Sequence, residues 1–246
     1  MRIALLADVH ANLEALEACL ADAAARGVTR LVFLGDLVGY GADPLAVLER
    51  VRGLMEQGAL ALRGNHDEGA LRGPEGFSAD AADAIRWTAA RLKTLDRALL
   101  EALPLTLAEE DRLYTHADAS APAAWRYVLD ARAARRSLEA CDARLVFCGH
   151  THSPMLFGLH ANGLQACHKP PADVPMPLLA SRRWLGVIGS VGQPRDGNPA
   201  ACYGLLDTVR SSCAWVRVPY DIGTAAAKIK AAGLPPRLAA RLFEGL

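Results

Sequence analysis

Seven polar side chains, Asp8, His10, Asp36, Asn65, His116, His150 and His152, each follow closely on a short apolar run. In Asp8-x-His10 and His150-x-His152 two donors stand two residues apart. On extended chain such residues point the same way, so each pair can grip one ion. Carboxylate, amide oxygen and imidazole without thiolate suit Mn, Fe, Zn, Co or Ni. Seven donors are too many for one tetrahedral zinc but fit two divalent ions that share a bridging carboxylate. Ions paired in this way lie roughly 3.5–4 Å apart and can hold both oxygens of a displacement at phosphorus. A single histidine at a strand end is more often a surface or satisfied core residue. Five of the seven histidines fall in these segments, however, and coincidence explains that poorly. The stretch LRGNHDEG, residues 62–69, adds a narrower question. Asn65, His66 and Asp67 between two glycines read as a polar turn, but a turn does not require a histidine.

The elements that must position these residues alternate. Residues 2–7 and 30–34 are buried strands ending at Asp8 and at Gly35-Asp36, and residues 59–62 are a third, ending at the polar turn. Between them Asn12 opens a helix that runs to Gly27, and Asp43-Pro44 starts another towards Gly58. Residues 78–102 are helical with a break near Thr94. LPLTLAEEDRLYTH makes two strands and an acidic turn, and a helix over about 130–141 leads into RLVFC and Gly149-His150. Strands dominate from Pro154: MLFGLH, LQACH after an Asn-Gly turn, RWLGVIGS, ACYGLLD and CAWVRVPY, with a helical tail over 221–245. Such alternation predicts α/β layering, in which sites gather at the carboxyl ends of strands. With no repeat or linker, one domain is expected over residues 1–246.

Composition narrows the partners. Lys+Arg and Asp+Glu both number 27, for a formal net charge of +0, so the basic footprint of a polymeric nucleic-acid binder is missing. The apolar run of MRIALLADVH is broken by Asp8 too soon for a signal peptide, and no segment approaches membrane-spanning length. Six scattered cysteines without a CxxC pair read as reduced thiols. A soluble, cytoplasmic protein is expected, and its strand-rich C-terminal third offers an edge for pairing of copies.

The ordered blocks Asp8-Val-His10, Gly35-Asp36-Leu-Val-Gly39, Gly64-Asn65-His66-Asp67, Thr115-His116 and Gly149-His150-Thr151-His152 resemble the calcineurin-like metallophosphoesterase superfamily. GDLVGYGADP and GSVGQPRDGNP further resemble its bacterial and archaeal branch of small phosphodiesterases and diadenosine-tetraphosphate hydrolases. The resemblance implies a four-layer αββα sandwich of two mixed β-sheets flanked by helices. It also implies two divalent ions, with manganese the metal expected to support activity. Asp8, His10 and His152 would hold the first ion, Asp36 would bridge, and Asn65, His116 and His150 would hold the second. His66 would meet the substrate phosphate and stabilise or protonate the leaving oxygen, with Asp67 orienting it. A metal-bridging hydroxide would attack phosphorus in a small phosphorylated substrate, cleaving a phosphodiester or phosphoanhydride, such as that of a dinucleoside polyphosphate.

Three departures from the family pattern bear on substrate. Ala117-Asp118 stand where relatives have Gly-Ser, so Asp118 either faces solvent or discourages polyanions. Val187-Ile188 replace Asn-Pro, which removes a side chain from the cleft. GDLVGYG lacks the Asp-Arg pair of phosphoprotein phosphatases. Arg195 is a candidate phosphate binder because its guanidinium fork matches phosphate oxygens; the other reading is a turn-stabilising arginine. Tyr40 either stacks on a nucleobase or packs against the sheet. His160 and His168 read as surface residues. Alternative functions are a phosphomonoesterase, a protein phosphatase or a non-catalytic scaffold; scaffolds on this fold typically lose ligands or the histidine of GNHD, and this chain keeps them.

Overall fold

In the computed structural model, which describes residues 1–160, 163 and 165–246, strand β1 (Arg2–Leu6) is covered on both faces. Ile3, Leu5 and Ala7 enter one apolar layer, and Ala4 and Leu6 enter another, the period-two alternation of extended chain. Burial on both faces is why RIALL and RLVF are continuous apolar runs rather than alternating ones. Helix α1 (Leu13–Ala25) is capped by Asn12, whose side-chain oxygen accepts from the Ala15 N–H at 3.2 Å. Strand β2 (Arg30–Phe33), helix α2 (Pro44–Glu56) and strand β3 (Leu60–Ala61) follow. The middle of the chain holds α3 (Asn65–Arg72), α4 (Ala79–Ala89), α5 (Thr94–Ala102), β4 (Thr106–Glu109), β5 (Arg112–Thr115) and α6 (Ala131–Glu139). Then come β6 (Leu145–Cys148), β7 (Met155–His160), β8 (Gln165–His168), β9 (Met176–Pro177), β10 (Arg182–Val187), β11 (Ala201–Asp207) and β12 (Ser212–Val218). Helices α7 (Ile222–Ala231) and α8 (Pro236–Glu244) end the described chain.

Two mixed six-stranded sheets result, ordered β3-β2-β1-β11-β12-β9 and β4-β5-β6-β10-β7-β8. Strands β1, β2 and β3 run parallel in the first sheet, as do β5, β6 and β10 in the second. The sheets face each other across a layer that includes Ile3, Leu5, Tyr114, Phe147, Trp184 and Trp215. Helices α1, α2 and α5 cover the outer face of the first sheet through Leu16, Leu48 and Leu100. Helix α6 covers the second through Ala134 and Leu138. This is the expected αββα sandwich. Among the described residues no helix is long and apolar enough to cross a membrane. All six cysteines are free, and four of them are buried.

Several local expectations need correction. LRGNHDEG is not a free-standing turn: Asn65 is the first residue of α3 and Gly64 is its N-cap. Asp67, at the third helical position, accepts the Gly64 N–H at 2.9 Å and the Val38 N–H at 3.1 Å. Its carboxylate is thereby committed to two backbone donors and makes no hydrogen bond to the His66 ring, so it does not orient that imidazole. The helical tail is two helices, parted at Gly233 (φ 70°) and Leu234-Pro235. Strand β9 escaped the sequence because it has two residues, one of them a proline, which is tolerated at a sheet edge. In the C-terminal third the edges are β8 and β9, whereas β10, β11 and β12 are interior. The Asn-Gly turn falls at Asn162, outside the described residues, but β7 and β8 pair antiparallel as expected. His168 is exposed and His160 half-buried.

The capping role of Asp67 has a measurable consequence. Asp67→Ala leaves two buried N–H donors unpaired and is expected to destabilise the fold by about 1–3 kcal/mol. Urea unfolding monitored by circular dichroism checks this, and an unchanged midpoint would mean that the cap contributes nothing.

Candidate metal centre

The polar residues converge at one edge of the sandwich because they all follow parallel strands. Asp8 and His10 leave β1, Asp36 leaves β2, and Asn65 and His66 follow β3. His116 follows β5, and His150 and His152 follow β6. The two parallel sets therefore deliver donors from both sheets to one place. Asp8, His10, Asp36, His150 and His152 all adopt positive φ, between 49° and 68°. That conformation is uncommon for residues with a side chain, and its concentration here marks a site held under constraint. Glycine is required at Gly64, where a Cβ would come within 2.1 Å of Asp36 Oδ1.

Three groups of donors lie within reach of a common ion: Asp8, His10 and His152; His10, Asp36 and His66; and Asp36, His116 and His150. Asp36 Oδ2 stands 3.6 Å from His10 Nε2 and 3.4 Å from His116 Nε2, so one carboxylate faces both halves of the cluster. Asn65 Oδ1 lies 3.0 Å from His116 Nε2 and joins the second half.

The hydrogen bonds show why a cation suits this cluster. His10 Nδ1–H donates to the Val38 carbonyl at 3.2 Å, and His152 Nδ1–H donates to the Gln193 carbonyl at 2.6 Å. His116 Nδ1–H donates to the Leu34 carbonyl at 2.8 Å, and His150 Nε2–H donates to the Trp125 carbonyl at 2.8 Å. Carbonyls only accept, so each outer nitrogen carries its proton, and on the neutral rings of His10, His150 and His152 the inner nitrogen turns a lone pair inward. His10 Nε2 and His152 Nε2 meet at 3.0 Å, and His116 Nε2 and His150 Nδ1 at 3.2 Å. Inward lone pairs this close repel unless a proton or a cation lies between them. The donor set thus fits divalent metal, with the outer carbonyls fixing ring orientation.

Burial sets the charges of the metal-free cluster. It pushes His10 and His152 well below the ordinary histidine range, and His150 down to about 3. Burial also lowers His116, but the facing Asp36 carboxylate outweighs it and raises that imidazole to about 9. Burial raises Asp36, yet the His116 and His66 rings outweigh it and hold the carboxylate well below its usual range. Asp8, buried and facing Asp36, is pushed up to about 8. Burial lowers His66 to about 4, so its ring is neutral at pH 7.

His66, itself buried, lines a cleft of about 730 Å³. Its backbone N–H donates to Asp36 Oδ1 at 2.8 Å, and its ring is boxed by Tyr40, His10 and Phe77 at centroid distances of 4.3, 4.7 and 5.0 Å. Its Nδ1 is buried without a partner, pressed towards Gly39, where an added Cβ would come within 2.4 Å. Tyr40 packs on His66 and His10 and also lines the cleft. Arg195 lines the cleft, with its guanidinium 5.5 Å from the Tyr40 ring centroid and two of its nitrogens on Gln193 Oε1.

Two departures from the family pattern also resolve differently from expectation. Asp118 neither faces solvent nor enters the cleft. It is fully buried, accepts the Ser120 N–H at 2.9 Å and Arg136 Nε–H at 2.7 Å, and anchors the loop ahead of α6. That loop brings the Trp125 carbonyl to His150 and stacks Tyr127 on the same ring at 4.0 Å and 9°. Val187 and Ile188 are both buried in apolar layers and are not among the residues that line the cleft. Trp125, Tyr127 and Phe77, together with Arg237 and Arg241 of α8, line the cleft and were not singled out in the sequence, because loop aromatics and surface arginines there carry no motif.

Buried carboxylates and imidazoles gathered at the strand ends of both sheets thus form a candidate divalent-metal centre. A sequence profile of the calcineurin-like phosphoesterase superfamily domain matches residues 1–211, and the chain belongs to that superfamily. It is 36% identical to an uncharacterized protein of Methanocaldococcus jannaschii, over 99% of this chain and 98% of the relative. The crystal structure of a metallophosphoesterase from Sphaerobacter thermophilus is 35% identical and superposes with a TM-score of 0.87, covering 100% of this chain and 99% of that one. A hypothetical protein from Pyrococcus horikoshii shares the fold at 18% identity and a TM-score of 0.80, covering 100% and 98%.

Because Asp8 and His116 hold protons at pH 7 when no metal is bound, loading the centre should release about one to two protons per chain. Titration calorimetry in buffers of different ionisation enthalpy measures that number, and heats independent of the buffer would contradict the charge assignment.

Proposed function

We propose that this chain hydrolyses a phosphodiester or phosphoanhydride bond of a small molecule, a dinucleoside polyphosphate among the candidates, with the help of two divalent ions. The observation that carries the reading is the convergence of four imidazoles, their outer N–H groups tied to carbonyls, around the carboxylates of Asp8 and Asp36. Asp8, His10 and His152 would hold one ion, Asn65, His116 and His150 the other, with Asp36 between them. Manganese is the ion expected to support activity. When bound, such ions neutralise phosphate oxygens and make water acidic enough to attack near neutral pH.

The chain's own groups do the positioning. The N-terminal turn of α3 carries both Asn65 and His66, so the positive end of its dipole favours an anion beside the centre. His66 lines the cleft next to that anion position. As a neutral ring it offers one N–H, which suits it to hydrogen-bond the leaving oxygen as charge develops there. Phe77, Trp125 and Tyr127 narrow the approach and limit water around the reacting bond. A cleft of about 730 Å³ has the dimensions of small-molecule sites, which favours such a substrate over a folded phosphoprotein.

Metal content, together with hydrolysis of bis-p-nitrophenyl phosphate, p-nitrophenyl phosphate and diadenosine tetraphosphate with and without added Mn, tests the proposal. Turnover of the diester or the anhydride with Mn is expected; a metal-loaded protein that turns over none of the three would be a binding scaffold. His66→Ala should retain the metal and lose turnover by about 10²–10⁴-fold. Loss of metal in that variant would make His66 a ligand instead.

A further inference from the structure

Helix α8 lies beyond residue 211, where the superfamily match ends, yet it builds part of the cleft. Leu238, Ala239 and Leu242 anchor it in the apolar cluster that also contains Tyr40. Arg237 and Arg241, four residues apart and so on one side of the helix, line the cleft together with Arg195.

Among the described residues none of these three guanidiniums forms an ion pair with an acidic side chain, although Asp80 offsets part of the repulsion felt by Arg241. Arg195 rests on Gln193 Oε1, Arg241 donates Nε–H to the backbone oxygen of Leu246, and Arg237 has no hydrogen bond. Glu75 and Asp80 line the same cleft, but neither forms an ion pair with any of the three. Burial and then the charges of Arg195 and Arg237 hold Arg241 below the usual arginine range, so the cations feel one another. Cations outnumber carboxylates in this wall, and their unused N–H donors form the bidentate forks that match phosphate oxygens. Tyr40 is the spacer. Its ring lies 4.3 Å from the His66 ring on one side and 5.5 Å from the Arg195 guanidinium on the other.

The structure assigns to Arg195, Arg237 and Arg241 a second anion site, one aromatic ring removed from His66, that takes the non-scissile phosphates of a linear phosphoanhydride. This rests on the phosphoesterase reading above and makes it narrower. A substrate with a single charge reaches the metal centre and leaves the arginines unused. A polyphosphate chain engages both ends of the cleft, so the C-terminal helix selects among substrates through binding and not through the chemical step.

The test uses the full chain and two probes. Inorganic tripolyphosphate should bind the chelator-treated protein in a salt-dependent manner. The double variant Arg237→Gln/Arg241→Gln should weaken that binding by about tenfold or more, as loss of charge-assisted contacts requires. With Mn loaded, the same variant should raise KM for diadenosine tetraphosphate about tenfold more than for bis-p-nitrophenyl phosphate, with kcat little changed. Arg237→Gln alone, at an exposed position, should show the same direction and guards against a folding defect. Unchanged tripolyphosphate affinity, or equal losses on both substrates, would overturn the assignment. If the metal-loaded enzyme turned over no phosphate ester, the phosphoesterase reading alone would fail, and the tripolyphosphate measurement would still decide the anion site.

Discussion

Four imidazole N–H groups, each bonded outward to a carbonyl, are the constraint around which the molecule is organised. The carbonyls belong to Leu34 and Val38, to Trp125 in the loop before α6, and to Gln193 beyond β10. Each bond fixes a tautomer and turns the other nitrogen inward. The outer partners come from distant parts of the chain, so the centre takes shape only when both sheets and the intervening loop are in register. Small displacements of any one carbonyl would let a ring rotate and lose its ligand direction.

The parallel strands explain why donors from both sheets meet at one edge. The remaining strands act differently. Strand β11 pairs with β1 and holds it at the centre of its sheet. The stretch that follows β10 ties the sheets together. The Val191 and Gly192 N–H groups donate to the Ala7 and Asp8 carbonyls, and Ser190 Oγ–H donates to the Asp8 carbonyl at 2.8 Å. Gln193 then supplies the carbonyl for His152 and, through its side chain, a rest for Arg195. GSVGQPRDG is therefore a clasp made mostly of backbone, a role that its side chains do not announce.

Much of this was legible in the sequence, for a physical reason. Strands buried on both faces leave uninterrupted apolar runs, so the first polar residue after each run marks a strand end. That rule alone picks out Asp8, Asp36 and His150. The helical start at Asn65 was hidden because glycine is a less familiar cap than serine or aspartate, and Asp67 was free to suggest an imidazole partner instead of two backbone donors. Asp118 was misjudged because its neutralising partner, Arg136, lies on a different element. The cleft wall stayed invisible for the same reason: Arg195 and Arg241 are joined by tertiary packing, and no sequence spacing records it.

The left-handed backbone at Asp8, His10, Asp36, His150 and His152 has a consequence for how this chain can change over generations. Glycine would relax each of these positions, since it adopts positive φ without the Cβ penalty. Every such relaxation would also delete a donor. A copy released from catalytic duty could therefore ease its backbone by shedding those side chains, but only by giving up the buried hydrogen bonds that they make. Aspartate and histidine standing at these five sites are the imprint of an unrelaxed demand for their oxygen and nitrogen atoms, written in backbone torsion as well as in side-chain chemistry.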